Sequence, residues 1–403
     1  MDYRLPSLTM ATTIEQAIKD LQAGKMVVVV DDAGRENEAD LVMAAAKVSP
    51  PAINFMITQA RGLVCLALTA ERAAALALPL MTPDNSSKFK TNFTVSIEAA
   101  QGISTGISAE DRSRTIAAAI NPRAKPEDLA RPGHVFPLVS HEHGVLGRPG
   151  HTEAAVDLMR LAGLAEAGVI CEILDDEGRS ARGQDLKSFA ATHRLTLISV
   201  EDVRRHRLAT EALAKRLTTT SLPTTFGLFN LLLYKDVITG QEHLALTLGD
   251  VTATDVLCRV HSRCVTGDVF GSRRCDCQQQ LHAAMTSVQQ TGRGIILYLD
   301  QEGRGIGLTK KIAAYALQDQ GVDTVEANQQ LGHQPDERHY WIAASILKDL
   351  GVRSIELLTN NPQKVNELVA CGLAVMRRPL AIEQTPDNSR YLRTKKEKLG
   401  HWL

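Results

Sequence analysis

Three cysteines in the run CVTGDVFGSRRCDC at 264–277 carry the most specific chemistry in this sequence. Cys264, Cys275 and Cys277, closing on one point as thiolates, make a zinc site with one coordination position left over. A structural zinc fills all four positions with protein ligands, whereas a catalytic zinc keeps three and leaves the fourth to water. The spacing lacks the paired CxxC knuckles of a zinc ribbon, and polar and basic residues crowd the segment, so it reads as a hydrolytic centre. The same thiols also fit a closed site with His261 as fourth ligand, or ordinary buried packing. A second concentration of charge spans Asp31–Asp40, where Asp31, Asp32, Glu36, Glu38 and Asp40 surround Arg35. Such a set can hold a hard divalent cation and a phosphorylated substrate together, although a solvated acidic loop is the plainer reading. The turn RPGH then occurs twice, ending at His134 and at His151. Pro-Gly sets a turn, the glycine lets backbone approach a ligand, and histidine can bind metal or move protons.

The elements that must position these groups follow from patterning. Met26–Val30 reads as a buried strand delivering the acidic loop. Thr13 can cap a helix whose Ile14, Ala17 and Leu21 share one face and which Gly24 ends. Helical patterns cover 109–120, 151–161 and 183–193, and strand-like runs cover 62–68, 92–97 and 169–174. From Val200 to Ser221 the chain turns charged and helical, which puts a domain boundary near residue 207. Beyond it, 225–234 and 243–248 read as hairpin strands around Thr239 and Gly240. Strand and helix then alternate through 294–299, 305–320, 340–350, 354–359 and 362–370, the pattern of an α/β layer structure. The glycine-rich turn Glu302–Gly307 falls between a buried strand and a helix, where backbone N–H groups suit phosphate oxygens.

Composition narrows the classes. A chain of 403 residues with 44% apolar content supports two or three domains with sizeable cores. A formal net charge of −1 argues against general binding to nucleic acid or a membrane surface, and 4% aromatics leave few stacking platforms for single strands. No apolar run approaches the roughly 20 residues that span a bilayer. Nothing at the N-terminus has the basic-then-apolar pattern of a signal peptide, and seven cysteines in so long a chain are no disulfide framework. A cytoplasmic location is expected.

The motifs RENEAD at 35–40, LVCLAL at 63–68, NFTVSIEA at 92–99, RPGHVFPL at 131–138, RPGHTEAAVDL at 148–158 and CE at 171–172 resemble 3,4-dihydroxy-2-butanone 4-phosphate synthase across most of 10–205. The resemblance implies conversion of ribulose 5-phosphate to dihydroxybutanone phosphate and formate, with magnesium or manganese. It implies that Glu36 and His151 hold the metal and that His134 and Glu172 transfer protons. Arg35, Glu36, Asp40, Arg148, Pro149, Gly150, His151, Thr152 and Glu172 are implied to contact the sugar phosphate. Ala33, Gly34 and Ala39 thin the acidic loop relative to the family without removing an implied ligand, and Lys88 to Lys90 depart from a more glycine-rich flap.

The cysteine run, with RVHSR at 259–263, DQEGRGIGL at 300–308, DTVEAN at 323–328, DER at 336–338, LTNNPQK at 358–364 and the terminal YLRTKKEKLGHWL, resembles GTP cyclohydrolase II over 217–403. The fusion resembles the bifunctional riboflavin-biosynthesis family. By that resemblance the three cysteines bind zinc, a zinc-activated water attacks the guanine C8 to release formate, and pyrophosphate leaves with magnesium accompanying the triphosphate. Asp336 is implied as proton acceptor and Arg338 as nucleophile at the α-phosphorus, although a guanidinium so rarely deprotonates that charge stabilisation is the milder reading. Arg259, Val260, His261, Ser262, Arg263, Gln280, Glu302, Gly303, Arg304, Thr324, Thr359 and Lys364 match nucleotide-contacting positions. Four positions depart from the family pattern. Arg263 stands for a glutamate, Asp300 for an arginine, Gln278 for a glycine and His339 for an acidic residue. The first two reverse sign in opposite directions and offset each other if their side chains touch. The rival reading keeps only the synthase active and makes the second half a structural or nucleotide-sensing zinc module. The expected fold is an α+β domain with a mixed sheet over 1–207, followed by an α/β zinc-binding cyclohydrolase domain over 208–403. The resemblance also implies a homodimer.

Overall fold

A computed structural model describes residues 8–380, 385 and 388–402, without the side chains of 8–12, 324, 390, 391 and 399. The chain divides into two compact units, Met1–Arg207 and Leu208–Leu403, each built on a seven-stranded sheet. No helix among the described residues is long and apolar enough to cross a membrane.

The first unit holds strands β1 (Val27–Val30), β2 (Ala39–Ala44), β3 (Cys65–Leu68), β4 (Ile97–Ala99), β5 (Leu129–Val139), β6 (Ala167–Glu172) and β7 (Thr196–Ser199), in the order β4-β5-β3-β6-β2-β1-β7. Pairs β1–β7 and β3–β5 are parallel and the rest antiparallel, so the sheet is mixed. Strand alternation splits its side chains between two cores. Val27, Val29, Val42, Ala44, Cys65 and Ile170 pack under helices Leu8–Gln22 and His151–Leu161. Val28, Leu41, Met43, Leu66 and Val169 pack under Ile53, Ile116 and Leu186 from helices of the opposite face. Each such fully buried aliphatic side chain contributes about 1.5–3 kcal/mol relative to exposure. The first helix begins at Leu8, so Thr13 lies inside it instead of capping it. Leu8, Met10 and Ala11 are good helix formers and extend it upstream.

The second unit holds β8 (Ala214–Thr224), β9 (Gly227–Asp236), β10 (Glu242–Leu248), β11 (Val256–Ser262), β12 (Gly294–Leu299), β13 (Ser354–Leu358) and β14 (Ala374–Arg378), ordered β14-β13-β11-β12-β10-β9-β8. Three antiparallel strands form one edge, and the crossover-linked strands β11 to β14 run parallel. The expected helical character up to Ser221 is corrected here. The helix ends at Thr210, and 214–224 is an edge strand. Its run of β-branched threonines, which lose rotamer freedom in a helix, and its antiparallel ladder with β9 favour a strand.

Candidate active sites

In the first unit, β1 ends directly at Asp31, whose side chain is fully buried. Asp31 Oδ2 accepts hydrogen bonds from Arg35 (2.9 Å) and the Glu36 N–H (3.2 Å), and Oδ1 accepts from the Glu38 N–H (3.0 Å). This folds the acidic loop back on itself and aims Glu36 at His151, 3.8 Å from ring to carboxylate. His151 opens its helix, is buried, and has no hydrogen-bond partner at Nε2. Ligand atoms of Asp31, Glu36 and His151 lie within 4.8 Å of one another. The antiparallel register places Asp40 of β2 directly beside Glu172 of β6, and Ser180 donates to Glu172 Oε1 at 2.6 Å. Electrostatics match this crowding. Burial and then the neighbouring carboxylates push Glu38 up to about 7, and burial above all pushes Asp40 up to about 6. Burial opposes a charge on His151, yet Asp40, Glu36 and Asp31 outweigh it and hold the imidazole at about 9.

Arg35 and Arg148 converge on Gly150. A Cβ there would stand 2.5 Å from one Arg148 guanidinium nitrogen and 3.1 Å from one of Arg35, so a side chain at this position would push the guanidiniums aside. Arg148 also binds Glu153 (2.7 Å), Thr91 (3.0 Å) and the Phe89 carbonyl (3.0 Å), while Arg35 lies over the Phe89 ring at 5.4 Å. Thr152 is buried in the same helix turn, and Pro149 precedes Gly150 in the turn that enters it. His134 stands apart. Its Nδ1 pairs with Glu98 across β4 and β5, and β3 lies between β5 and the β6 strand of Glu172. Two strand spacings of about 4.8 Å each therefore separate those backbones. Asp31 and Glu98 were missed as individual site residues, although Asp31 opens the acidic run 31–40 and Glu98 falls inside the motif at 92–99.

In the second unit, β11 runs straight into Cys264, and Cys277 begins the helix Cys277–Thr291. Sulfurs of Cys264 and Cys275 are 3.8 Å apart, and all three lie within 4.8 Å. Gly267 permits this, since a Cβ there would approach the Cys275 sulfur to 2.9 Å. Among the described residues no fourth His, Cys, Asp or Glu joins the cluster. His261 instead binds Asp268 through Nε2, which disfavours the closed four-ligand reading. Lys311 reaches both Cys264 Sγ (3.1 Å) and Glu302 (2.7 Å), and Glu302 also accepts from the Val265 N–H (2.7 Å). Hydrogen bonds from Cys275 and Cys277, helped by Lys311, hold the Cys264 thiol far below its usual range, while Cys275 is pushed up to about 11.

A cavity of about 310 Å³ opens on this cluster, lined also by Ser262, Arg263, Glu302, Gly303, Arg304, Tyr315 and Arg338. A smaller one of about 60 Å³ adjoins it through Ser262, Cys277, Arg304 and Arg338, and adds Arg259, His261, Gln280, Thr359, Lys364 and Lys395. The expected nucleotide contacts therefore gather, with two qualifications. Val260 has its side chain in the core and gives its carbonyl to Lys364 (2.7 Å). Thr324 opens a helix, but its side chain lies outside the described residues. Arg259 pairs with Gln280, and Asp336 holds Arg338 through both of its oxygens. Arg304 keeps a left-handed backbone (φ 63°) in the glycine-rich turn, a conformation costing a non-glycine residue roughly 1–2 kcal/mol. Arg263 and Asp300 do touch, at 2.9 Å. Gln278 donates to the Asp268 carbonyl (3.3 Å), and His339 is exposed.

Each unit carries its own cluster of reactive groups, the organisation of a two-domain bifunctional enzyme. Residues 15–206 match the 3,4-dihydroxy-2-butanone 4-phosphate synthase family, and 215–379 match GTP cyclohydrolase II. The riboflavin biosynthesis protein RibBA of Aquifex aeolicus (strain VF5) is 54% identical over 394 residues, covering 96% of this chain and 97% of that protein. RibBA of Synechocystis sp. (strain ATCC 27184 / PCC 6803 / Kazusa) is 52% identical over 98% of this chain and 72% of its own length. Among solved structures, RibBX, a two-domain 3,4-dihydroxy-2-butanone 4-phosphate synthase from A. baumannii, matches with a TM-score of 0.68 at 37% identity, covering 92% of this chain and 99% of that one. The chain belongs to the RibBA family of bifunctional riboflavin biosynthesis proteins.

Proposed function

We propose that residues 1–207 convert ribulose 5-phosphate to L-3,4-dihydroxy-2-butanone 4-phosphate and formate, and that residues 208–403 convert GTP to 2,5-diamino-6-ribosylamino-4(3H)-pyrimidinone 5′-phosphate, formate and pyrophosphate. The observation that carries this reading is that each unit, matched by its own family, assembles a separate donor set, with Glu36 and His151 in one and the three cysteines in the other. His151, with an orphaned buried nitrogen beside Glu36 and surplus carboxylates around it, fits a divalent cation such as magnesium or manganese. Three sulfurs within 4.8 Å of one another, with no fourth ligand among the described residues, fit zinc with an open position.

In the synthase site Arg35 and Arg148 form a fork beside Gly150 that suits the substrate phosphate. Glu172, held by Ser180, and His134, oriented by Glu98, move protons between sugar carbons and oxygens as the ketose is enolised and rearranged. A bound divalent cation supplies Lewis acidity that stabilises the developing enediolate charge. The strand separation between His134 and Glu172 supports a homodimer in which they serve opposite copies of the site. In the cyclohydrolase site Arg259, Arg338 and Lys364 face phosphate oxygens, Asp336 accepts a proton, and Glu302 with Lys311 steadies Cys264. A bound zinc lowers the pKa of water to about 7, so that a nucleophile exists at neutral pH. Magnesium accompanies the triphosphate and offsets its charge. Free cysteines needed as thiolates suit a reducing cytoplasm.

Two variants of the full chain, each assayed with both substrates, test the division. Glu36→Ala should abolish formate release from ribulose 5-phosphate and leave GTP turnover intact. Cys275→Ser should lose zinc and GTP turnover and leave the sugar-phosphate reaction intact. If either variant keeps wild-type turnover of its own substrate at limiting metal, that metal assignment is wrong.

A further inference from the structure

Asp268 has no part in the roles described above, yet its carboxylate joins Cys264, which lines the larger cavity of the second unit, to His261, which lines the smaller one. It is 4% exposed, and its carboxylate accepts from the Cys264 N–H (2.9 Å), the Tyr298 hydroxyl (2.9 Å) and His261 Nε2 (3.1 and 3.2 Å). The parallel register of β11 and β12 pairs His261 with Tyr298, and their rings stack at 5.5 Å. An ionised carboxylate only accepts, so the imidazole proton sits on Nε2 and Nδ1 keeps a bare lone pair. That Nδ1 is buried without a hydrogen-bond partner, and His261 lines the smaller cavity. Burial, with Arg259 and Lys364 nearby, favours the neutral ring. The cations around it suit phosphate oxygens, whereas a bare imidazole nitrogen suits a hydroxyl donor next to those phosphates.

We propose that Asp268 is a positioning residue of the nucleotide site. It fixes His261 in the Nε2–H tautomer and so presents Nδ1 to a ribose hydroxyl of the bound nucleotide, while the same carboxylate holds the backbone of Cys264. The proposal rests on the cyclohydrolase reading of this unit.

The test compares binding of GTP, 2′-deoxy-GTP and 3′-deoxy-GTP to the zinc-loaded full chain. Wild type should bind one deoxy analogue about tenfold more weakly than GTP, the loss expected for one hydrogen bond to a buried acceptor. Asp268→Asn puts an amide donor against Nε2 and moves the ring proton to Nδ1, so the hydroxyl must turn to accept instead of donate, and discrimination should weaken with zinc content and ribulose 5-phosphate turnover unchanged. Histidine ¹⁵N spectra should show one Nδ1 protonated in the variant but not in wild type. His261→Phe keeps the stack on Tyr298 and the Asp268–Cys264 bond, and should likewise lose discrimination with zinc retained. Discrimination that is undiminished in Asp268→Asn or survives in His261→Phe, a wild-type ring with its proton on Nδ1, or equal binding of all three nucleotides overturns the proposal. Failure of zinc-loaded wild type to bind GTP at all defeats the cyclohydrolase reading and the proposal together.

Discussion

Arg263 and Asp300 reverse the charges that the cyclohydrolase pattern expects at their positions, and they do so as partners 2.9 Å apart. Both are near 40% exposed, so the pair adds only about 0–1 kcal/mol to stability. Its effect is local, because Arg263 follows β11 and precedes the first cysteine. Arg263→Glu would set two carboxylates together and should lower GTP turnover about tenfold, whereas Arg263→Glu with Asp300→Arg should recover most of it. Additive losses in that cycle would show that the two act separately. The acidic site of the first unit makes a pH prediction. Asp40, Glu38 and His151 are held at about 6, 7 and 9, each above its ordinary value, so the folded metal-free protein binds more protons than the unfolded chain. Stability with chelator present should therefore fall as pH rises from about 4 to 9. Added magnesium should raise the melting temperature more at pH 8 than at pH 5, since binding displaces those protons. A melting temperature that climbs with pH in chelator would contradict the crowded-carboxylate picture.

At the scale of elements, the helix Val200–Thr210 steadies the loop that leads to Arg148 and His151. Arg207 is nearly buried and donates to Asp157 (2.7 Å) and to the His143 carbonyl (2.8 Å), and Asp157 also accepts from the Val145 N–H (2.8 Å). Without Arg207 the buried carboxylate keeps only the longer ion pair to Arg160 (3.4 Å), at a cost below the about 3–5 kcal/mol of a buried charge left wholly unpaired. Arg207→Ala should thus lower the temperature at which synthase activity is lost and raise the KM for ribulose 5-phosphate; unchanged values would make this network incidental. No motif announces this contact, because it joins residues 50 positions apart through the fold. The helices 151–161 and 362–370 were legible from their helical patterning, although the first is buried on every side from His151 to Met159 and the second buries only Lys364 and Leu368. The strand 214–224 was not, because its outward threonines carry no alternation of apolar and polar residues and its pairing partner, not its own sequence, fixes it. Site residues were legible where a motif concentrates them, as in Glu36 and Cys264. The roles of Asp31, Glu98 and Asp268 emerge only when strand register and loop closure bring them to their partners.

For the whole molecule, two sheets of mixed direction carry two clusters that share no residue, so each reaction can be lost without the other. The rival reading, a zinc-bound module without turnover, is disfavoured by the match of 215–379 to GTP cyclohydrolase II and by full-length relatives of the bifunctional family. The cysteine cluster, Glu302, Lys311, the Asp336–Arg338 pair and Lys364 are also assembled around one pair of cavities. The most direct measurement follows carbon from GTP labelled with ¹³C at C8 through the full chain, with zinc quantified in the same sample. Labelled formate and pyrophosphate released in equal amounts, in proportion to zinc content, are the expected result. Full zinc occupancy with no labelled formate, in a preparation that still turns over ribulose 5-phosphate, would contradict it.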